Sequence, residues 1–356
     1  MEFLWNTWHF AAWAQDVAAG QLVPRILLNV PVVLFRDAAG QVAAMEDRCP
    51  HRFAPLSRGR LAGDRVICGY HGLEFDARGA CVRNPHLSGK VPAAAKVRTF
   101  PVVERHSGLW IWLGEEIPDS TLIPDYSILS EAAPEAVTRR DHFVMNVPFE
   151  LIVDNILDCS HGNFLHRDIL GNEEMNCTDT TVEQVGNAFW VRRFMANVPC
   201  PGIWDLMFRG DGGTVDTWQD CRWEAPSALL LDVGVTEAGA PRRDGTGYLG
   251  LHIMTPQTKT STHYHTVAVR WNISPSSETE ETRAKISDLR KFAFVEQDEP
   301  MISAQHEIML MTGAETLGEV LLETDVGVVR WRKIMSDLLS AEQAGRARNT
   351  RLHRTA

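Results

Sequence analysis

Cys49-Pro50-His51 and, after sixteen intervening residues, Cys68-Gly69-Tyr70-His71 decide how this chain is read. Each stretch offers one thiolate and one imidazole, and together they supply two of each. That donor set suits a [2Fe–2S] centre in which cysteines hold one iron and histidines the other. Exchanging two anionic thiolates for neutral imidazoles makes the cluster less negative, so it accepts an electron more readily.

A tetrahedral zinc ion takes the same atoms. Zinc modules, however, usually place Cys-x2–4-Cys and His-x3–5-His as like pairs, whereas here each half is mixed. Gly69 and Gly72 also flank the second pair and leave room for backbone N–H groups to approach cluster sulfurs. The spacing therefore predicts a Rieske cluster held in two loops. Around it, from Val23 to about Gly114, short β-rich runs such as Val32-Val33-Leu34-Phe35 and Leu109-Trp110-Ile111-Trp112-Leu113 alternate with turns. Asn84-Pro85-His86 offers either a third loop near the cluster or a plain turn.

At 356 residues the chain has room for two domains. We expect a Rieske domain over 1–117 and a catalytic domain over 118–356, joined through the proline-punctuated segment Pro118–Pro134. The net charge of −11 disfavours nucleic acid and anionic membrane surfaces as partners. No positively charged leader precedes the first apolar residues, and Asn29 and Pro31 interrupt the run from Ile26 to Phe35. With seven cysteines in no framework spacing, a reducing, cytoplasmic setting is expected.

Downstream, Phe149 to about Leu170 shows a helical pattern and contains His161 and His166. Two histidines with one carboxylate make the facial triad of non-haem Fe(II) oxygenases. On a straight helix a five-residue step turns through about 140°, so the helix must bulge, unwind or tighten near Gly162 for both to meet one ion. Asp298 is our choice for the third ligand, with Glu296 and Glu299 as local competitors and a cap ahead of Pro300 as its alternative role. A helix broken at Pro300 is expected over Glu278–Met311. Asp158 can accept an imidazole N–H and so tie cluster to iron. The basic stretch Arg346, Arg348, Arg351 and Arg354 follows an amphipathic segment and reads as a solvated tail.

At this point the residues resemble the oxygenase components of the Rieske non-haem iron oxygenases, in the branch of vanillate O-demethylase and dicamba monooxygenase. The resemblance rests on Cys-Pro-His-Arg-Phe-Ala-Pro-Leu-Ser from Cys49, Tyr-His-Gly-Leu-Glu-Phe-Asp from Tyr70, Asn-Pro-His from Asn84 and Val-Asp-Asn-Ile-Leu-Asp-Cys-Ser-His from Val153. It implies an α+β fold: an N-terminal all-β [2Fe–2S] domain and a C-terminal domain whose antiparallel sheet is covered by helices. It also implies Cys49, His51, Cys68 and His71 as cluster ligands and His161, His166 and Asp298 around a mononuclear Fe(II). Asp158 becomes the bridging carboxylate and Asn155 the amide beside the iron. The family works as a homotrimer in which the bridge joins neighbouring subunits.

With no Gly-x-Gly-x-x-Gly in a strand-to-helix setting, electrons must come from a separate NAD(P)H-dependent reductase, with or without a ferredoxin. The resemblance implies a dioxygen-using enzyme that demethylates a small methoxy-aromatic. Ring or N-methyl hydroxylation is the alternative chemistry, and a Rieske electron carrier without oxygenase activity the alternative class. Substrate contacts are sought at Trp204, Glu224, His252 and Leu289, with Met207 and His263 as further candidates. An ionised Glu224 facing the pocket would repel a carboxylate substrate.

Overall fold

The computed structural model describes residues 2–167, 169–186, 188–274, 279–313 and 318–354, with side chains through residue 345. The side chains of Arg346, Arg348, Arg351 and Arg354, and most of the polar run after Ser274, lie outside the described residues. Contacts divide the chain into two units, Phe3–Tyr126 with Thr255–Lys259, and Ser127–Met254 with Thr260 onward and the first two residues.

The first unit is built from three small sheets. Trp8–Trp13, Gly108–Trp112 and Val102–Arg105 form one; Val23–Leu27, Val30–Arg36, Val42–Glu46 and Thr99–Phe100 a second; Arg60–Ala62, Arg65–Ile67, Glu74–Phe75 and Cys81–Arg83 the third. The apolar runs noted in the sequence are the buried strands of this unit: Val32 through Phe35 and Leu109 through Trp112 are nearly inaccessible.

The second unit is organised on a seven-stranded sheet. In chain order its strands are β1 (Asp141–Met145), β2 (Thr181–Val185), β3 (Ala188–Pro199), β4 (Thr214–Glu224), β5 (Ala228–Glu237), β6 (Thr246–Thr258) and β7 (Ser261–Trp271), and across the sheet the order is β1-β7-β6-β5-β4-β3-β2. Side chains alternate between faces. The register sets Gln219 opposite Val233, Cys221 opposite Leu231, and Leu231 opposite Gly250, so these share one face. Trp218, Asp220, Arg222 and Glu224 take the other.

Helices Phe149–Leu157, Glu299–Thr312 and Val326–Arg354 accompany the sheet. The Trp331 ring lies 6.3 Å from both Phe149 and Trp223, which fixes two of the helices over the Cys221 face. Trp331 also donates its indole N–H to Asp154 Oδ1 at 2.7 Å, and Arg332 pairs with the same carboxylate at 2.5 Å. Among the described residues no helix is long and apolar enough to cross a membrane.

Two helical expectations are corrected. The helix from Phe149 ends at Leu157, because Asp158 leaves helical dihedrals, and Cys159–His161 and Gly162–Leu165 continue as separate turns. The break precedes Gly162. Around Pro300 the helix is not interrupted: a π-helical turn over Phe292–Asp298 links Glu280–Lys291 to Glu299–Thr312. The wider turn relieves the clash between a proline ring and the carbonyl four residues earlier, and removes the need for its missing N–H.

Candidate metal centres and cavity

The two cysteine loops have the same backbone. Cys49 N–H donates to Ala54 O at 2.8 Å and Phe53 N–H to Cys49 O at 2.9 Å; Cys68 N–H donates to Leu73 O and Gly72 N–H to Cys68 O, both at 2.9 Å. The fifth position of each turn has positive φ, 58° at Phe53 and 70° at Gly72. At Gly69 a Cβ would stand 2.6 Å from Arg58 O and 3.3 Å from Gly59 Cα, so its missing side chain lets the second cysteine loop lie against the backbone that leads into the Arg60–Ala62 strand.

Cys49 and Cys68 are buried and in mutual contact, and the rings of His51 and His71 lie 4.5 Å apart at a more open edge. Burial pushes the Cys49 thiol up to about 11, while backbone N–H groups of His51 and Arg52 act on its sulfur in the opposite sense. Two sulfurs inside and two imidazoles at the rim fit a mixed-ligand [2Fe–2S] cluster. His86 reaches the same loop: its Nε2 lies 2.8 Å from His71 O, so Asn84-Pro85-His86 does form a third loop there.

In the second unit the 158–166 turns bring His161 and His166 together, rings 5.1 Å apart. The π-helical turn delivers Asp298 to them, with Oδ1 3.6 Å from His161 Nε2 and 3.0 Å from His166 Nε2. Of the three acids in that stretch Asp298 is the buried one, Glu296 being exposed and Glu299 half-buried. One ligand atom from each of the three lies within 4.8 Å of the others, and Asp298 Oδ2 is buried with no hydrogen-bond partner.

The tautomers suit a metal. His166 donates Nδ1–H to Gln297 Oε1 at 2.8 Å and His161 donates Nδ1–H to the Asp158 carbonyl at 2.5 Å, so both Nε2 lone pairs face Asp298. For His161, burial depresses the pKa against the pull of Asp298. For His166, burial is outweighed by Asp298 and Gln297, and the pKa rises. A bound cation would take the place of that proton. Three protein donors of this kind, with positions left open, fit a non-haem Fe(II).

Asn155 donates from Nδ2 to Asp298 Oδ1 at 3.1 Å. Asp158 differs from expectation within this chain: its backbone carbonyl, not its carboxylate, accepts the His161 imidazole. The carboxylate caps the following turn, taking Ser160 N–H at 3.1 Å and Ser160 Oγ at 2.5 Å. Gln297 was missed in the sequence; only its place beside Asp298 could have drawn attention to it.

A cavity opens on the triad. Asn155, His161, His166 and Asp298 line it with Ile156, Leu170, Trp204, Gln219, Cys221, Leu231, Val233, Tyr248, His252 and Phe294 among others. Trp204 and His252 are thus where the sequence reading sought them. Leu289 and Met207 instead pack in the apolar core beneath, and neither lines the cavity. Glu224 does not line the cavity and pairs with Arg222 at 2.9 Å, so it gives no ground for excluding a carboxylate substrate. His263 is likewise absent from the lining and bonds to His142 at 3.0 Å.

Comparison with known proteins agrees with this geometry. Residues 7–101 match the Rieske [2Fe-2S] domain and residues 145–341 the vanillate O-demethylase oxygenase C-terminal domain. The oxygenase component of dicamba O-demethylase from Stenotrophomonas maltophilia is 33% identical over 97% of this chain and 100% of its own length. The oxygenase component of chloroacetanilide N-alkylformylase from Rhizorhabdus wittichii is 33% identical over 96% and 97%. A crystal structure of dicamba monooxygenase bound to 3,6-dichlorosalicylic acid superposes with a TM-score of 0.90 at 31% identity, covering 97% of this chain and all of that one. The chain belongs to the Rieske non-haem iron oxygenases: it is the oxygenase component of such a system, an oxidoreductase using a Rieske [2Fe–2S] cluster and a mononuclear iron.

Proposed function

We propose that this oxygenase removes a methyl group from a small methoxy-aromatic. The observation behind this reading is the cavity itself, in which a 2-His-1-carboxylate set shares one space with the apolar and aromatic side chains Ile156, Leu170, Trp204, Leu231, Val233 and Phe294. A flat ring is held there by burial of its faces, and its substituent by contact with the polar end. Iron held by these three groups would supply dioxygen activation, with single electrons coming through the cluster that the Cys49, His51, Cys68 and His71 side chains would hold.

In this reading Cys49, His51, Cys68 and His71 hold the cluster and His161, His166 and Asp298 the iron. Asn155 and Gln297 hold Asp298 and His166 in place, and the apolar walls exclude bulk water around the C–H bond. Methyl hydroxylation gives a hemiacetal that collapses to a phenol and formaldehyde. Electrons come from a separate NAD(P)H-dependent reductase, directly or through a ferredoxin. The working form is a homotrimer in which the Asp158 carboxylate, held at Oδ1 by Ser160, bridges to the cluster of a neighbouring subunit.

A second reading, N-dealkylation, is favoured by the likeness to the chloroacetanilide enzyme. Incubating the holoenzyme with a reductase, NADH and methoxy- or N-alkyl-aromatics separates the two. Formaldehyde equal to phenol formed supports O-demethylation, whereas dealkylated amine from N-alkyl substrates alone overturns it.

A further inference from the structure

Two thiols stand in the wall of the iron cavity without belonging to the metal set. Cys159 and Cys221 both line it, while the convergent donors are His161, His166 and Asp298. Cys221 is 1% exposed, and Cys159 is half-buried with its Sγ 3.5 Å from Ile156 O. The two come from different parts of the wall. Cys221 is in β4, where the register sets it between Val191 and Leu231. Cys159 opens the three-residue turn that carries His161.

Packing brings these thiols together. A Cβ on Gly327 would stand 2.6 Å from Val191 Cγ2 and 3.6 Å from Leu157 O, so the end of the helix at Leu157 lies close over Val191. Val191 is the register partner of Cys221, and Cys159 follows Leu157 by two residues. In keeping with this, Cys221 feels a charge on Cys159 more strongly than one on Asp220, its neighbour in the chain. The remaining free thiols are elsewhere: Cys200 packs against an apolar core, Cys177 is exposed and Cys81 belongs to the first unit. Burial keeps Cys159 and Cys221 as neutral thiols, Cys159 being pushed up to about 11. Their oxidation is therefore slow, and is confined to conditions in which an oxidant accumulates.

We propose that Cys159 and Cys221 are a modification site: hydrogen peroxide that accumulates in the cavity joins them in a reversible disulfide, which loosens the iron site. Hydrogen peroxide is dioxygen plus two electrons and two protons, left when no substrate accepts the oxygen. The Cys159 sulfur attacks one peroxide oxygen and the O–O bond breaks, giving a sulfenic acid and one water that carries off the thiol proton. The Cys221 sulfur then attacks the Cys159 sulfur, the S–S bond forms, and the hydroxyl leaves with the Cys221 proton as a second water. Two thiols are oxidised and one peroxide is reduced. A disulfide holds its Cα atoms about 4.4–6.8 Å apart, so the turn at Cys159 is tied to β4. His161 ends that turn, and Gly162 N–H donates to Cys159 O, so a shift at Cys159 carries His161 off its line to Asp298. The inference rests on the oxygenase assignment and not on which alkyl group is removed, so it stands or falls apart from the formaldehyde assay.

Holoenzyme is incubated under nitrogen with excess hydrogen peroxide, its free thiols are alkylated with iodoacetamide in denaturant, and the peptides are mapped by mass spectrometry. The Cys159 and Cys221 peptides should be recovered joined. Fe(II) affinity at the second site should fall at least about tenfold in the cross-linked protein and recover with dithiothreitol, with the visible absorbance of the cluster unchanged. Cys221→Ser removes the resolving thiol, so Cys159 should end as a sulfinic acid that dithiothreitol does not reverse. If that buried substitution does not fold, Cys159→Ser on the half-buried turn serves instead: Cys221 should stay a free thiol and peroxide should leave iron affinity in place. Both cysteines recovered as free thiols in the wild type, either one recovered there as a sulfinic acid, or a cross-link that leaves iron affinity within about twofold, overturns the proposal.

Discussion

His166 Nε2 and Asp298 Oδ1 lie 3.0 Å apart although 132 positions separate the two residues in the chain. What aims the carboxylate is Asn155, whose amide donates to the same oxygen, while Oδ2 has no protein partner. Removing the amide by Asn155→Ala frees the carboxylate to rotate. Iron affinity at this site should fall about 10–100-fold, with cluster content unchanged. Fe(II) titration of protein stripped of mononuclear iron, with acid-labile sulfide as the internal standard, checks it.

The close packing of Gly69 on the Arg58–Gly59 backbone leads to a prediction about the cluster alone. Gly69→Ala sets a methyl group 2.6 Å from the Arg58 carbonyl, which is backbone and cannot swing aside. The second cysteine loop must move off that backbone, and cluster occupancy should drop at least by half. Visible absorbance and sulfide per chain measure the loss, and His161-side iron affinity is the control.

Acid should destabilise the first unit through His9. The ring is buried, accepts no counter-charge, and its Nε2 bonds to Leu4 O at 2.9 Å; burial lowers its pKa from 6.5 to about 4 despite that bond. Because the folded value is depressed, the stability it represents is present above 6.5 and is lost as pH falls through 4. The loss across that window is about 3 kcal/mol. A folded His9→Gln variant should show a flatter dependence of denaturation midpoint on pH between about 7 and 4.

Asp154 is held by Trp331 and Arg332 across the helices of the second unit. Arg332→Met leaves a mostly buried carboxylate without its counter-charge and should cost about 2 kcal/mol, less than a fully buried pair because Arg332 is partly exposed. Adding Asp154→Asn should restore part of the loss, which a double-mutant cycle in urea resolves.

The motif-borne part of this protein was legible because it is local. Cys49-x-His51 and Cys68-x-x-His71 each sit in a single tight turn, so spacing alone predicts which donors converge. His161 and His166 were visible as a pair, but the break at Asp158 was not, since Leu157-Asp158-Cys159 contains no glycine or proline to announce it. Pro300 misled in the opposite direction: the proline suggested an interruption where a π-helical turn absorbs it. Glu224 and Leu289 were misplaced as pocket residues because face assignment depends on strand register and helix packing, which are set by partners far along the chain.

The central claim is that one chain holds both a Rieske cluster and a separate iron at His161, His166 and Asp298. Anaerobic iron and sulfide analysis with EPR of dithionite-reduced protein, on wild type and His161→Ala side by side, tests it most directly. About three irons per chain in the wild type and about two in the variant, with the same histidine-ligated [2Fe–2S] signal in both, is the predicted result. Equal iron in the two proteins, or a wild type with no more than two after Fe(II) reconstitution, would contradict it.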